Sequence, residues 1–464
     1  MDVGASWLCD DRPFYPTAVN EEDLGSATWT AHRGDGQETM LVRKCRLEVV
    51  AGPDAGSSHQ FASPVLVIGR SGSDLVLSDR RVSALHAEIR LEPDGYRVRD
   101  LGSTNGTYAW GMKIVEAFIG PGTTLVVGDS AVRFVPLPEA VEMPLWASTQ
   151  LCGLVGRSPA MRRLFDTIDR VASTDATALV TGETGTGKEL VAEALHERSA
   201  RAGRPFVVLD CSAVPIGLFE DHLFGHEAGS FTGAGRATAG VFEEAHGGTL
   251  FIDEVGELPQ DAQAKLLRAV ETRRVRRLGG VETIDCDVRL IAATNRNLAA
   301  EMNRGNFRAD LYFRLAVARL NVPPLRERLE DIDLLTEHFL AQHPRERAAL
   351  LPDDFLTWAR AQMWPGNVRE LRNALERAIT THPEAGWAPE DPVEPPALLD
   401  VDVSLPFRES KARIVEAFER RYATRLLETH EGNISAVARS AGLDRMSVYK
   451  LLDRLRLRGR WKGG

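Results

Sequence analysis

The period of the hydrophobic positions changes three times along the chain, and each change predicts a different architecture. From residue 45 to about 136, apolar and polar residues alternate in short runs, among them 65–68, 87–91, 96–99 and 132–135. Turn formers Pro93-Asp94-Gly95, Asn105-Gly106 and Gly128-Asp129 separate these runs, which predicts an antiparallel β-sandwich. From Gly153 the apolar runs at 178–181, 206–209, 249–252 and 288–293 are separated by helical stretches. Short apolar strands alternating with helices predict a parallel sheet covered on both faces. Beyond Pro324 only the helical period persists, to about residue 381. Residues 383–406 then hold six prolines and an acidic excess, the composition of a semi-rigid linker. The expected fold is therefore multidomain α/β. It comprises a polar, irregular extension over 1–44, a sandwich over 45–137, and a linker over 138–152. An α/β domain over 153–324 follows with a helical lid over 325–382, then a Pro-rich linker over 383–407 and an all-α segment over 408–464.

The richest chemistry lies in residues 177–189, TALVTGETGTGKE. A strand runs into Gly182-Glu183-Thr184-Gly185-Thr186-Gly187-Lys188, and Leu190, Val191, Ala194 and Leu195 then follow at helical spacing. Strand, glycine loop and helix together are the context of a phosphate-binding loop. The glycines let backbone N–H groups turn inward on phosphates, Lys188 adds a point charge, and the helix N-terminus lies beneath. Glu189 stands where the general pattern has a hydroxyl ligand for Mg²⁺, so water and Asp253 should fill more of the metal's shell. Asp253 and Glu254 end the run Thr249-Leu250-Phe251-Ile252, one placed to hold Mg²⁺ and the other to polarise an attacking water.

Ala292-Ala293-Thr294-Asn295, and then Phe307-Arg308-Ala309-Asp310-Leu311-Tyr312-Phe313-Arg314, resemble the sensor I and arginine-finger segments of AAA+ ATPases. That resemblance implies Thr294 and Asn295 near the γ-phosphate, and Arg308 and Arg314 supplied to a neighbouring subunit's site. Asn367-Val368-Arg369-Glu370 resembles sensor II, which implies that Arg369 reaches the nucleotide in cis. Residues 223–234, Leu-Phe-Gly-His-Glu-Ala-Gly-Ser-Phe-Thr-Gly-Ala, resemble the sigma-factor loop of bacterial enhancer-binding proteins, the sigma-54-dependent activators. By this resemblance Gly229, Ser230, Phe231, Thr232, Gly233 and Ala234 contact sigma-54, and Phe231 is an exposed aromatic at a flexible tip. Without the flanking motifs, Phe231 reads equally as a core residue beside an ordinary turn. Asp210 occupies the place where most relatives carry an Asn restraining the catalytic Glu, and its charge is expected to repel Glu254.

Gly69-Arg70, Ser83-Ala84-Leu85-His86 and Gly102-Ser103-Thr104-Asn105-Gly106 resemble the signature blocks of forkhead-associated (FHA) domains, which bind phosphothreonine peptides. The resemblance implies that Arg70, Ser83, Thr104 and Asn105 face the phosphopeptide, a donor set suited to a dianion. His86 reads as a brace for the Ser83 loop. No phosphoacceptor pattern of a response regulator precedes the ATPase, so input is expected from Ser/Thr kinases.

Charge divides the chain. Its net charge is −10, yet residues 408–464 hold 14 Lys/Arg against 7 Asp/Glu, a net of +7 that leaves −17 on the residues before them. A basic tail on an acidic body predicts nucleic-acid contact at that end only. Ile414, Phe418, Tyr422 and Leu426 form one helical stripe. Gly432-Asn433 starts a second helix, and Asp444 caps a third, whose buried face is Val448, Leu451, Leu452 and Leu455. Arg445, Ser447 and Lys450 lie off that face, so the tail reads as a helix-turn-helix. It resembles the Fis-type module of enhancer-binding proteins, with a basic oligomerisation bundle as the alternative. Modules of that kind act as dimers, which implies a palindromic site. Five scattered cysteines without metal spacing, and no apolar run of spanning length, predict a cytoplasmic protein. The combined reading is an ATP- and Mg²⁺-dependent activator that remodels sigma-54 polymerase from upstream DNA, as a dimer or a hexameric ring. The competing reading is a DNA-bound phosphopeptide scaffold with a vestigial ATPase.

Overall fold

Two long strands, Gln37–Ala51 and Ser130–Pro144, run antiparallel through the sandwich of the computed structural model. The structure describes residues 31–34, 37–92, 95–230, 234–345, 350–380 and parts of 419–454. Among these, one sheet of the sandwich follows the order Ala31–Gly34, Gln37–Ala51, Ser130–Pro144, Thr124–Val127, Thr107–Ala109, Met112–Ile114, with Ser58–Phe61 also paired to the second strand. The facing sheet runs Glu116–Ile119, Gly95–Asp100, Ala87–Glu92, Val65–Gly69, Leu75–Val76. Alternating residues Leu47, Ile68, Ile89, Val98, Leu125 and Phe134 fill the space between the sheets. Each such side chain contributes roughly 1.5–3 kcal/mol by leaving water.

The expected irregular extension, over its described residues 31–34 and 37–44, and the expected linker at 138–152 are corrected by this sheet, and residues 1–30 lie outside the described residues. Thr39 to Arg43 pair with Pro144 to Ala140, so both stretches belong to the sheet. A β-bulge hides the period. The register shifts between Pro136 and Ala140, and the buried phase changes from Met40 and Val42 to Cys45, Leu47 and Val49. A two-residue alternation broken in phase reads as no alternation, and prolines beside a bulge read as breakers. Residues 150–155 add a short hairpin, Gln150–Leu151 with Leu154–Val155.

The next sheet is wholly parallel, in the order Phe206–Asp210, Thr249–Asp253, Arg289–Thr294, Ala178–Thr181, Ala318–Asn321. Four of these strands coincide with the apolar runs in the sequence. Ala318–Asn321 was not foreseen, because Arg319 and Asn321 interrupt it. It sits at the sheet edge, where polar side chains reach water. Val191, Ala192, Ala194 and Leu195 bury the helix Lys188–Glu197 against this sheet, whereas Leu190, expected in the same stripe, is exposed. The lid packs Ile332–Leu340, Phe355–Arg360 and Asn367–Thr380 around Phe355, Trp364, Leu371 and Leu375.

Contacts divide the chain into one unit of residues 1–387 and a second of 388–464. In the second, Ile434–Ser440 and Arg445–Arg454 are helical, and Ala423, Leu427, Val437, Ala438, Val448 and Leu452 form its core. Tyr422 is exposed, so the first helix's buried stripe lies on Ala423 and Leu427, one residue from the expected one. Ile414, Phe418, Asn433, Asp444 and Leu455 fall outside the described residues.

One buried carboxylate fastens the lid to the start of the α/β domain. Asp331, fully buried, accepts hydrogen bonds from Arg157 N (2.6 Å), Ser158 N (2.7 Å) and Ser158 Oγ (2.8 Å). Asp331→Ala orphans these donors and should cost about 3 kcal/mol. A lowered thermal unfolding midpoint checks this, and an unchanged one rules it out.

Candidate functional site

Because the sheet is parallel, the strands all present their C-terminal ends at one edge, and the chemical residues collect there. Ala178–Thr181 delivers the glycine loop at that edge. Gly185 and Gly187 take φ of +79° and +102°, left-handed conformations a side chain would strain. A Cβ on Gly185 would lie 2.3 Å from Gly366 O of the lid, so glycine also lets the lid approach. Thr186 Oγ1 donates to Glu183 O (2.8 Å), closing the loop on itself. Lys188 is buried and donates to Gly182 O at 3.2 Å, while its Nζ lies 3.3 Å from Glu254 Oε1.

The other oxygen of Glu254 is occupied as well. Asn295 N donates to Glu254 Oε2 (3.0 Å), and Asn295 Nδ2 donates to Thr184 Oγ1 (2.9 Å). Glu254 itself has φ +49°, so a left-handed kink directly after the strand turns its carboxylate toward the loop. Asp253 Oδ1 accepts from Glu254 N (2.9 Å). Burial holds the Asp253 carboxyl above the ordinary carboxylate range, and the charges of Glu254 and Asp210 push it the same way. Asp210 lies beside Asp253 in the parallel register, yet its Oδ1 accepts from Ser212 N (2.8 Å) and Ser212 Oγ (2.7 Å). Asp210 thus has its own partners in the turn, and Glu254 takes its restraint from Lys188 and Asn295. Thr294 is fully buried and accepts from Arg296 N at 3.1 Å, so it shapes the turn carrying Asn295.

Arg326 and Arg328, which sequence reasoning missed, and Asn367, which it quoted only as part of the sensor II run, tie the lid to the loop. Arg326 donates two hydrogen bonds to Glu183, at 2.6 and 2.8 Å, and this fork holds the Glu183 carboxyl below its usual range, with Asn367 in support. Asn367 is fully buried at φ +53°. Its Oδ1 accepts from Leu325 N (2.8 Å), and its Nδ2 donates to Thr184 O (3.1 Å) and Glu183 Oε2 (3.2 Å). Arg328, also buried, donates to Thr186 O at 3.1 Å. The run Pro324-Leu325-Arg326-Glu327-Arg328 carried the signal, but a charged run reads first as a solvated face. Arg369 is exposed at the same junction, and its backbone N donates to Gly185 O (3.3 Å).

Other predicted residues lie apart from this cluster. Arg308 and Arg314 are exposed at the two ends of the helix Ala309–Leu315, and Arg308 forms a fork with its own neighbour Asp310 (2.7 and 3.1 Å). Glu189 is exposed. The predicted sigma-factor loop rises from the short hairpin of Gly225–His226 with Thr238–Ala239, and Gly229 N donates to Ala234 O (2.7 Å) at its base. Ala234 is buried, and Phe231, Thr232 and Gly233 lie outside the described residues. Arg445 and Lys450 are exposed on the last described helix, while the side chain of Ser447 lies outside the described residues.

At one end of the sandwich Arg70, Ser83, Thr104 and Asn105 come together. Arg70 N donates to Ser83 O (2.9 Å), Thr104 N donates to Ser83 Oγ (3.1 Å), and Asn105 Nδ2 donates to Arg81 O (2.6 Å). Burial lowers the pKa of His86, which leaves a neutral ring: Nδ1 accepts from Ser83 N, and Nε2 donates to Gly106 O, both at 3.1 Å. His86 thus braces both loops while Arg70 and Thr104 remain exposed.

A parallel sheet with a phosphate loop, two carboxylates at the neighbouring strand end and a helical lid defines an AAA+ ATPase. Comparison with known proteins agrees. Residues 154–321 match the sigma-54 interaction domain, and residues 326–391 match the AAA+ ATPase lid domain. The chain is 38% identical over 412 residues to the transcriptional regulatory protein GlrR of Escherichia coli K12, covering 86% of this chain and 90% of that one. ZraR of the same strain is 44% identical over 317 residues, covering 68% and 71%. The chain belongs to the sigma-54-dependent transcriptional activators. Its sandwich, residues 48–137, matches a family described as the cytoplasmic domain of an inner membrane component of T3SS. Among solved structures, the FHA domain of CT664 from Chlamydia trachomatis is similar at 29% identity over 20% of this chain and 96% of that one, with a TM-score of 0.19. No described helix is long and apolar enough to cross a membrane.

The lid junction generates a test. Asn367→Ala removes the donor to Thr184 and orphans Leu325 N–H, so ATP affinity should fall about tenfold, equivalent to about 1.4 kcal/mol. Nucleotide titration checks this against kcat. A fall in kcat with unchanged affinity would place Asn367 outside nucleotide positioning.

Proposed function

We propose that this chain is a DNA-tethered motor that couples ATP hydrolysis to remodelling of the sigma-54 polymerase holoenzyme, under control of a phosphothreonine signal. The observation that carries the motor is the Glu254 carboxylate, held between Lys188 Nζ (3.3 Å) and Asn295 N (3.0 Å). ATP entering the loop draws Lys188 onto its phosphates and frees one Glu254 oxygen to orient the attacking water. Asn295 positions the same carboxylate and, through Thr184, senses the loop.

Burial raises the Asp253 pKa first and the charges of Glu254 and Asp210 add to it, a negative field that suits a divalent cation, and among the described residues no ready-made cage of three ligands exists. Mg²⁺ would therefore bind through Asp253 together with nucleotide phosphates and water, supplying charge neutralisation. Gly182, Glu183, Thr184, Gly185, Thr186 and Gly187 cradle the phosphates, Glu189 stays outside the cradle, and Arg369 closes over it from the lid. Arg308 and Arg314, both exposed, complete a neighbouring copy's site once a hexameric ring forms. The loop of Gly229, Ser230, Phe231, Thr232, Gly233 and Ala234 carries the stroke to sigma-54. Arg70, Ser83, Thr104 and Asn105 read the phosphothreonine. The basic tail binds palindromic upstream DNA through Arg445, Ser447 and Lys450.

Two substitutions test the coupling. Glu254→Gln keeps the size of the side chain but removes its basicity and turns one of its two acceptor atoms into a donor, so it should still bind ATP and lose at least about 100-fold in turnover. Near-normal turnover overturns the role of Glu254. Phe231→Ala should keep turnover and DNA binding yet fail to activate transcription, because the loop loses the roughly 1.5–3 kcal/mol gained when a partner buries the ring. If Phe231 is instead a core residue, melting temperature and turnover fall together.

A further inference from the structure

The recognition end of the sandwich does not face open solvent on all sides. One of its loops touches the ATPase helix that carries the exposed arginines, and another touches the helix before it. Gly72, two residues beyond Arg70, has φ +64°, and a Cβ there would lie 2.1 Å from Phe313 Cε1. Phe313 lies between Arg308 and Arg314, on the helix Ala309–Leu315. Gly102, two residues before Thr104, has φ +73°, and a Cβ there would lie 2.5 Å from Ala300 Cβ, on the helix Leu298–Asn303. Asn303 Nδ2 donates to Gly102 O at 3.1 Å. Val67 and Leu85 of the sandwich are buried in the same apolar cluster as Leu298, Phe307 and Leu311 of the ATPase. Arg97 adds a long ion pair to Glu327 of the lid, at 3.6 Å.

The placement has two aspects. Arg70 and Thr104 stay exposed, so a phosphate can reach them. The space beside them, at Gly72 and Gly102, each two residues along the chain from one of them, is filled by Phe313 and Ala300. We infer that the phosphopeptide face of the sandwich is an intramolecular interface for the two helices Leu298–Asn303 and Ala309–Leu315, and that a phosphothreonine peptide competes with them. This rests on the phosphothreonine reading of the sandwich given above. The docked sandwich holds the arginine-bearing helix away from a neighbouring subunit, and the peptide releases it. The contact joins close backbone approaches at Gly72 and Gly102, one hydrogen bond at Gly102, the Arg97–Glu327 pair and the buried Val67 and Leu85, an interdomain surface within one chain of the kind that domain motion can open. Linkage makes the competition reciprocal: whatever factor the docked helices remove from peptide affinity, the peptide removes from docking.

The test uses the full chain, with a degenerate phosphothreonine peptide pool and its unphosphorylated counterpart as probes. Ala300→Gln drives a longer side chain into Gly102 while leaving the nucleotide site untouched. Turnover without peptide should rise about fivefold, to the level the parent protein reaches with saturating phosphopeptide, and phosphopeptide affinity should tighten by a similar factor. Asn303→Ala, which removes one hydrogen bond from a partly exposed residue, should move both quantities in the same direction by less, and it carries the test if Ala300→Gln does not fold. Equal affinity of parent and variants for the phosphopeptide, with unchanged turnover, overturns the inference while the phosphothreonine reading survives. Lowered turnover in a folded variant also overturns it. If no variant or parent distinguishes phosphorylated from plain peptide, the phosphothreonine reading itself fails, and the competition fails with it.

Discussion

Two opposite charges on neighbouring elements, Lys188 from the glycine loop and Glu254 from the next strand but one, meet 3.3 Å apart at the edge of a parallel sheet. Much of the molecule follows from keeping them there. The lysine must be buried to act as a phosphate ligand and not as a solvated surface cation, and burial requires a counter-charge until nucleotide arrives. The sheet provides that counter-charge because parallel strands bring their carboxyl ends to a common edge. Asn295, delivered by the strand between the two, fixes the second oxygen of the acid. The reactive groups are thus satisfied by one another, contacts that the phosphates of a nucleotide would exchange for their own.

The lid is joined to this centre by polar bonds and not by apolar packing alone. Glu183 is the meeting point. It lies within the glycine loop, yet its carboxylate is gripped by Arg326 and Asn367 from the lid side. Loop shape and lid position are therefore one variable. This explains why a side chain in a loop whose conformation is otherwise set by glycines is a carboxylate, and why the buried lid residue at φ +53° is an asparagine, which tolerates that backbone better than most.

Much of this was legible in the sequence, for reasons that differ from part to part. The core strands of the ATPase announced themselves because strands buried on both faces are continuous apolar runs. The glycine loop did so because its chemistry is local in sequence. What escaped depended on distance or on broken phase. Asn367 and Glu183 are 184 positions apart, and nothing in either residue's neighbourhood names the other. The outer part of the long ladder, residues 39–43 with 140–144, was misread as extension and linker, since a bulge reverses which residues face inward. Leu190 alone of its expected stripe turns to solvent, while Val191, Ala194 and Leu195 are buried, and the stripe at Tyr422 was misplaced by one position, the margin at which an apolar residue at the edge of a stripe faces water.

Glu254 carries a further consequence in its backbone. At φ +49° it occupies a conformation that short polar residues such as aspartate and asparagine adopt more readily than glutamate. Local preference therefore favours the shorter acid, while the reach to Lys188 and Asn295 requires the longer one. Aspartate at this position would ease the main chain and withdraw the carboxylate by a full methylene from both partners. The motor keeps a residue its own backbone would exchange, so here folding comfort and chemical reach select opposite side chains.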